Sequence, residues 1–319
     1  MNKTGQASKP KFSICEQISR LEEKGVAFSL CSKQEAEAYL KQNNYVFRIK
    51  SYAKNYEKSS RGRYSNLDFA YLIEFATIDL HFRRLVLSWS LDAEHHLKMT
   101  LLRHFNNNAS EDGYSIVEDF LSKTPRVQNE ILHKSQSSSF IRNLLEKYND
   151  NLSLWNLLEV LDFGSFMEFF QFYFSKYSQD KKTKEIYSLA FSARVLRNAS
   201  AHNNCMLNTL RIPYNKNFKP SSYINGRVSK IQIVSQATRK KLCTSPIMHD
   251  FLGLLFLLDE VCHSRTLKRA RMKDLLSFLK RCKKHKEYFI RENFFTSRFA
   301  ALAKIAIFMM KKSRKFMHF

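Results

Sequence analysis

The segment VLRNASAHNN, residues 195–204, places an arginine, an amide and a histidine near the end of a predicted helix. Asn198 and His202 share a helix face because they are four positions apart. Histidine titrates near neutral pH and can act as a general base or acid, and the planar cation of arginine matches phosphate. Together with Arg197, these residues could cleave RNA without a metal, the neighbouring 2′-hydroxyl acting as nucleophile and the arginine stabilising the phosphorane charge.

The spacing of Arg197 and His202 is by itself a weak signal, because both residue types recur in this chain and surface decoration is the alternative. Arg142 and Asn143 form a comparable pair on another predicted helix, but there Lys147 stands in place of the histidine. The context of the motif is more informative than its spacing.

The motif follows an apolar stripe on the same predicted helix, formed by Ile186, Leu189, Ala193 and Leu196. One histidine cannot easily serve both sides of the scissile bond. We therefore predict that two chains meet across the helix at 185–202.

The charge of the chain favours a polyanionic partner. It has 53 Lys and Arg against 29 Asp and Glu, a formal net charge of +24, which far exceeds what solubility requires. RNA, DNA and an anionic membrane surface all fit this charge, and a basic protein without such a partner is the simpler alternative.

Residues 43–66 mix aromatic rings with cations. Single-stranded RNA offers bases that stack on aromatic rings and phosphates that bind cations. We predict RNA contacts from Tyr45, Arg48, Lys50, Tyr52 and Lys54. The alternative is that these aromatic residues pack a small N-terminal lobe, and the two interpretations do not exclude each other.

The run at 265–291 predicts an amphipathic helix whose exposed side is basic, because a solvated face usually mixes charges of both signs and this one does not. Its apolar residues Leu267, Met272, Leu275, Leu276 and Leu279 can face a core. The predicted phosphate contacts are Arg269, Arg271, Lys280, Arg281, Lys283 and Lys284, extended by Lys311, Lys312, Arg314 and Lys315. A membrane surface is the alternative partner.

With only 7 Gly and 5 Pro, the chain predicts an all-α fold of long helices and few loops. Three regions are expected: an N-terminal helical lobe at 1–66, a helical core with the motif at 67–212, and a basic helical region at 213–319. A turn at Asn225-Gly226 and a short strand pair at 226–234 are further expectations.

Several function classes lack their signatures. No phosphate-binding glycine loop, dinucleotide fingerprint or nucleophile elbow is present, and the six cysteines form no C-x-x-C pair. We therefore expect neither a metal nor a cofactor. The N-terminus has no apolar core, and the longest apolar runs are shorter than the ~20 residues that span a membrane, so a cytoplasmic protein is expected.

Segments of this chain across residues 11 to about 280 resemble, in order, the abortive-infection AbiD/AbiF family of bacterial phage-defence proteins within the HEPN superfamily: KFSICEQISRLEEKG, AYLKQNNYVFRIKSYAKNY, IDLHFRRLVLSWSLDAEHHLKMTLLRHF, LWNLLEVLDFGSFMEFF, LRNASAHNN and FLGLLFLLDEV. The resemblance implies a HEPN-type helical bundle, commonly dimeric. Its two motifs, here Arg197, Asn198 and His202, would form a composite, metal-independent endoribonuclease site. A structured noncoding RNA is an implied partner.

Two alternatives stay open at this point. Glu94 could support the site from a neighbouring helix, as HEPN sites often use such a polar residue, or it could form a surface pair with Lys98. The whole protein could bind RNA without cutting it, as the core of a ribonucleoprotein with a noncoding RNA. A DNA-binding regulator is less favoured, because no convincing helix-turn-helix is present.

Overall fold

In the computed structural model, the structure describes residues 10–137, 140–148, 151–178, 180–210, 217–289 and 293–315, without the side chains of 293, 294 and 311–315. The described chain is mostly helical, as the scarcity of Gly and Pro predicts. Its two short strands are β1 (Val26–Ala27) and β2 (Leu67–Asp68), which pair in parallel and join the N-terminal lobe to the start of the longest helix.

Fifteen α-helices lie in the described residues. The first nine are α1 (Ile14–Glu23), α2 (Lys33–Gln42), α3 (Val46–Tyr52), α4 (Phe69–Asn106), α5 (Ser115–Lys123), α6 (Pro125–Ser137), α7 (Arg142–Tyr148), α8 (Leu154–Val160) and α9 (Phe163–Tyr177). The remaining six are α10 (Lys181–Ala201), α11 (Ser222–Ser229), α12 (Gln236–Thr244), α13 (Pro246–Val261), α14 (Arg265–Arg281) and α15 (Asn293–Lys315).

Local sequence signals fix several helix ends in the N-terminal lobe. Ser13 and Ser32 each form a capping box with a glutamate three residues later, which satisfies backbone donors at the starts of α1 and α2. Gly25 follows α1 with φ +85, and a Cβ there would lie 2.4 Å from the backbone oxygen of Tyr64. Only glycine fits this turn.

Helix α4 runs through the middle of the molecule, and α10, α13 and α14 all pack against it. Trp89 of α4 stacks on Phe251 of α13 with ring centroids 5.5 Å apart. Helices α10 and α13 also pack on each other very closely, since a Cβ at Gly253 would lie 2.8 Å from the Cβ of Ser192. Because α10 carries the Arg197–His202 motif, its backbone is held between two buried helices.

The structure corrects several predicted elements. The strand pair at 226–234 and the turn at Asn225-Gly226 are wrong, because α11 runs through both and buries Ile224 and Val228. The stretch at 153–177, whose apolar spacing predicts one helix, forms two, α8 and α9, and Asp162 caps the second. Helix α6 was not predicted. The expected boundary at 212–213 lies outside the described residues.

Within the described residues, no single helix is long and apolar enough to span a membrane. Helices α12 and α13 meet the length and composition criteria only as a pair that is bent by 100°.

Candidate functional site

The motif helix α10 ends at His202 in a Schellman motif. Asn203 takes the left-handed conformation with φ +56. Its amide donates to the carbonyl of Ser200 at 3.1 Å, and the amide of Asn204 donates to the carbonyl of Ala199 at 2.9 Å. Asparagine tolerates this conformation better than most residues, so the sequence HNN itself ends the helix at the motif.

The motif side chains lie at the surface, as the sequence led us to expect for His202. Asn198 and His202 are exposed and Arg197 is half-buried. The Nη1 of Arg197 donates to Oδ1 of Asn198 at 3.4 Å, while its Nε is enclosed without an acceptor. Among the described residues, no carboxylate pairs with Arg197 and no side-chain hydrogen bond engages His202. Both side chains are therefore available to a ligand.

A buried carboxylate holds the turn that follows the motif. Asp79 of α4 accepts hydrogen bonds from the amides of Met206 at 3.0 Å and Leu207 at 2.8 Å. The hydroxyl of Tyr52 donates to the same carboxylate at 2.7 Å, and Arg83 forms an ion pair with it. The network ties α3, α4 and the turn after α10 together.

Burial and the neighbouring groups of this network shift the pKa values of Asp79 and Tyr52. Burial raises the pKa of Asp79, while the charge of Arg83 and the hydrogen bond from Tyr52 oppose that rise. Burial and the neighbouring Asp79 raise the pKa of Tyr52 well above its ordinary value, which keeps the phenol protonated and able to donate. Asp79 thus serves as an acceptor for the turn rather than as a solvent-exposed charge.

Helix α3 also caps the end of α10 directly. Arg48 donates from Nη1 to the carbonyl of Asn203 at 2.6 Å and from Nη2 to its Oδ1 at 3.3 Å. Asn55 binds the same turn further on, since it donates to the carbonyl of Leu207 and accepts from the amide of Leu210, both at 2.8 Å. A cation at a helix C-terminus is also favoured by the helix dipole.

Sequence reasoning missed Asp79, Arg83 and Asn55. A signal was present in the chain, because Asp79 and Arg83 stand four residues apart among the buried apolar positions of α4. A pair of opposite charges inside an apolar face predicts a buried ion pair.

The predicted RNA contacts of the N-terminal lobe have different outcomes. Tyr52 is 0% exposed and donates to Asp79, so its ring cannot stack on a base, and that prediction is wrong. Arg48 is half-buried and bound to Asn203. Tyr45, Lys50 and Lys54 are exposed, and their RNA contacts stay predictions.

Glu94 forms an ion pair with Lys98, which was the alternative to a role in the site. Its Oε1 lies 3.3 Å from the Nζ of Lys98, and it makes no hydrogen bond to the motif within the described residues. Glu94 is eleven residues beyond Arg83, so it lies ~16 Å further along α4 than the contact with the turn after His202. The structure does not bring its carboxylate into contact with the motif.

Helix α14 has the amphipathic character that was predicted. Met272, Leu275 and Leu279 are buried, and Lys280, Lys283 and Lys284 at its C-terminal end are exposed. The phosphate contacts predicted for these three lysines, and for the half-buried Arg269, stay predictions. The side chains of Lys311, Lys312, Arg314 and Lys315 lie outside the described residues.

Two arginines of α14 form ion pairs with carboxylates of the protein. Arg281 forms a two-pronged ion pair with Glu74 of α4, and its Nη2 lies 3.0 Å from Oε2. Arg271 pairs with Asp92 of α4 and, at 2.9 Å, with Asp274. These guanidinium groups attach α14 to α4, so the structure corrects their predicted role as free phosphate contacts.

The stretch of α4 at 74–84 connects the motif with the lysines of α14. Arg83 contacts the turn after α10, and Glu74 contacts the end of α14, so the two sites lie on either side of this stretch. Arg84 is exposed between them. Burial and the charges of Arg281 and Arg84 lower the pKa of the nearby His81. His81 therefore lies near cations of both α4 and α14.

Comparison with known proteins places this arrangement in a family. The model of a family described as Abi-like protein matches residues 38–208, more than half of the chain. The chain belongs to the Abi-like protein family. Membership suggests a role in abortive infection, a form of phage defence. No curated protein and no solved structure matches the chain.

The part of this Abi-like chain that matches the family contains the motif and the network of Asp79, Tyr52, Arg83 and Arg48 at the end of α10. Helices α3, α4 and α10 and the turn up to Leu207 all fall within residues 38–208. Helix α14 and its lysines lie outside the match. The buried network and the motif therefore lie in the part of the chain that matches the family.

Proposed function

We propose that this Abi-like chain is a HEPN-type endoribonuclease that cuts RNA without a metal and acts in bacterial phage defence. The observation that carries the proposal is the pairing of an exposed His202 with a half-buried Arg197 that has no carboxylate partner among the described residues. An arginine that has no carboxylate partner and lies near a histidine fits the binding of a phosphodiester better than a structural role.

The proposed reaction uses the 2′-hydroxyl of the RNA as nucleophile. His202 takes the proton of that hydroxyl or gives one to the departing 5′-oxygen. Arg197 binds a non-bridging phosphate oxygen and stabilises the charge that develops on the phosphorane. Asn198, in contact with Arg197 at 3.4 Å, holds the guanidinium toward the same side of the helix.

The face of α10 that carries the motif supports a composite site made by two chains. Phe191 and Val195 are 50% and 40% exposed, and they line up with Asn198 and His202 at helical spacing. Exposed apolar side chains beside polar site residues mark an interaction surface. A second copy covering this face would bring a second histidine to the site and supply the acid that one chain lacks.

RNA is the partner that the charge distribution favours. Exposed cations lie at the C-terminal end of α14 (Lys280, Lys283 and Lys284) and on α4 (Arg84), and α4 also contacts the turn that follows the motif. Phosphates of a structured RNA could follow these cations to the motif. The proposed partner is an RNA substrate or a structured noncoding RNA, and the proposed site of action is the cytoplasm.

A non-catalytic RNA-binding protein is the second candidate, favoured by the wide extent of the basic surface relative to the small motif. Both candidate functions require RNA binding, which is tested by extracting the nucleic acid that co-purifies with the protein. We expect material that ribonuclease degrades and deoxyribonuclease does not. Purified chain that carries DNA or no nucleic acid would contradict both candidates, and RNA that stays intact in the presence of the wild-type protein would favour the second.

A further inference from the structure

The N-terminal lobe contains an open cleft of about 580 Å³ between α1 and α3, away from the motif. Its volume lies within the range of sites that bind small molecules. None of the described residues that line it is a carboxylate. Those that carry the argument are Phe12, Gln17, Arg20, Lys24, Phe47 and Lys50.

One wall of the cleft is built around the ring of Phe12. Gln17 donates from Nε2 to the backbone carbonyl of Phe12 at 2.8 Å. The guanidinium of Arg20 then stacks on that ring, 3.5 Å from its centroid. A stacked guanidinium keeps the donors at its edge available for phosphate. Glu16, four residues earlier on α1, feels the charge of Arg20, but its carboxylate is bonded to Ser13.

The opposite wall carries an exposed aromatic ring. Phe47 is 83% exposed although α3 buries Ile49 and Tyr52 nearby. Lys50 lies three positions later on the same helix and is also exposed. An aromatic face next to cations is the arrangement that stacks an unpaired base and neutralises its phosphate.

Helix α3 links the cleft to the motif. Phe47 lines the cleft, and the adjacent Arg48 holds Asn203, which follows His202. Neighbouring residues of an α-helix point about 100° apart, so Phe47 and Arg48 face different sides of α3. A single RNA strand could reach both.

We propose that this cleft binds one unpaired nucleotide of an RNA strand, with the base against Phe47 and the phosphate held by Arg20, Lys24 and Lys50. The proposal rests on the proposed function, because it makes the cleft a subsite that orients RNA toward His202. A base within a duplex cannot enter, so the subsite selects RNA with a single-stranded segment.

The test uses full-length His202→Ala protein, which the proposed function expects to bind RNA without cutting it. Affinity for a fluorescent single-stranded oligoribonucleotide should fall about tenfold in Phe47→Ala and stay unchanged in Phe140→Ala, a control phenylalanine that is 98% exposed elsewhere. Lys24→Gln with Lys50→Gln should reduce the slope of log K against log salt by about 1.4, unlike the control Lys241→Gln. Affinity for a blunt RNA duplex should not respond to Phe47→Ala.

A photo-crosslinker identifies the occupant of the cleft. With p-benzoylphenylalanine in place of Phe47, irradiation should yield a labelled RNA–protein adduct. Adducts only within the chain or between two chains, or tight binding of nucleoside monophosphates without the oligonucleotide, would overturn the proposal. So would equal affinities of the Phe47→Ala and Phe140→Ala proteins. These failures leave RNA cleavage by the wild-type protein intact, whereas absence of any RNA binding would sink the proposed function as well.

Discussion

The guanidinium of Arg48 donates a hydrogen bond of 2.6 Å to the backbone carbonyl of Asn203, the residue that follows His202. The contact joins the N-terminal lobe to the end of the motif helix. Arg48→Ala should therefore let the last turn of α10 fray, lowering RNA cleavage about tenfold at a stability cost of about 1–2 kcal/mol. Lys241→Ala removes an exposed cation of α12 that is not among the predicted RNA contacts and is the control. Equal cleavage rates in the two variants would show that Arg48 does not position the motif.

The Asp79–Arg83 pair should behave as a coupled buried unit. Asp79→Asn leaves Arg83 buried without its acid and should destabilise the protein by about 3 kcal/mol, as should Arg83→Gln. The double variant should cost clearly less than the sum, with a coupling energy of about 1–3 kcal/mol. Urea unfolding of the four proteins measures this cycle. Strictly additive losses would mean that the two side chains act independently.

The exposed apolar face of α10 should mediate association of two chains. Phe191→Glu should convert a dimer at micromolar concentration into a monomer and reduce cleavage by at least ~10², because the composite site is lost. Leu132→Glu changes a side chain of similar exposure on α6 and should alter neither property. Sedimentation velocity with and without RNA gives the result. A wild-type monomer that still cleaves would refute the two-chain site.

The lysines at the end of α14 should contribute to RNA affinity through phosphate contacts. Changing Lys280, Lys283 and Lys284 together to Gln should reduce the slope of log K against log salt by about 2–3. Arg281→Gln should act differently: it leaves Glu74 without its partner and should lower the midpoint of thermal unfolding. Unchanged RNA affinity together with loss of binding to anionic vesicles would assign this surface to a membrane.

The sequence predicted the helical class and the apolar face of α14, because each depends on residues within a few turns of one another. It left open whether Tyr52 is buried, and it could not predict that Arg271 and Arg281 are paired, since those outcomes depend on acids of α4 that are distant in the chain. The strand pair at 226–234 failed for a related reason: Ile224 and Val228 are apolar at a spacing that a buried helix also satisfies. The residue types and spacing of the Arg197–His202 motif indicated its possible chemistry. Only the structure showed which side chains hold the end of α10 that carries it.

Cleavage of RNA by the His202→Ala protein tests the central claim most directly. Wild-type protein and the variant, both folded by circular dichroism, are incubated with labelled RNA in EDTA. We predict cleavage by the wild type and a rate lower by about 10²–10⁴ in the variant, with Arg197→Ala similarly impaired and Arg197→Lys only partly restored. Equal cleavage by the wild type and the His202→Ala protein, or wild-type cleavage that requires added divalent metal, would contradict the account.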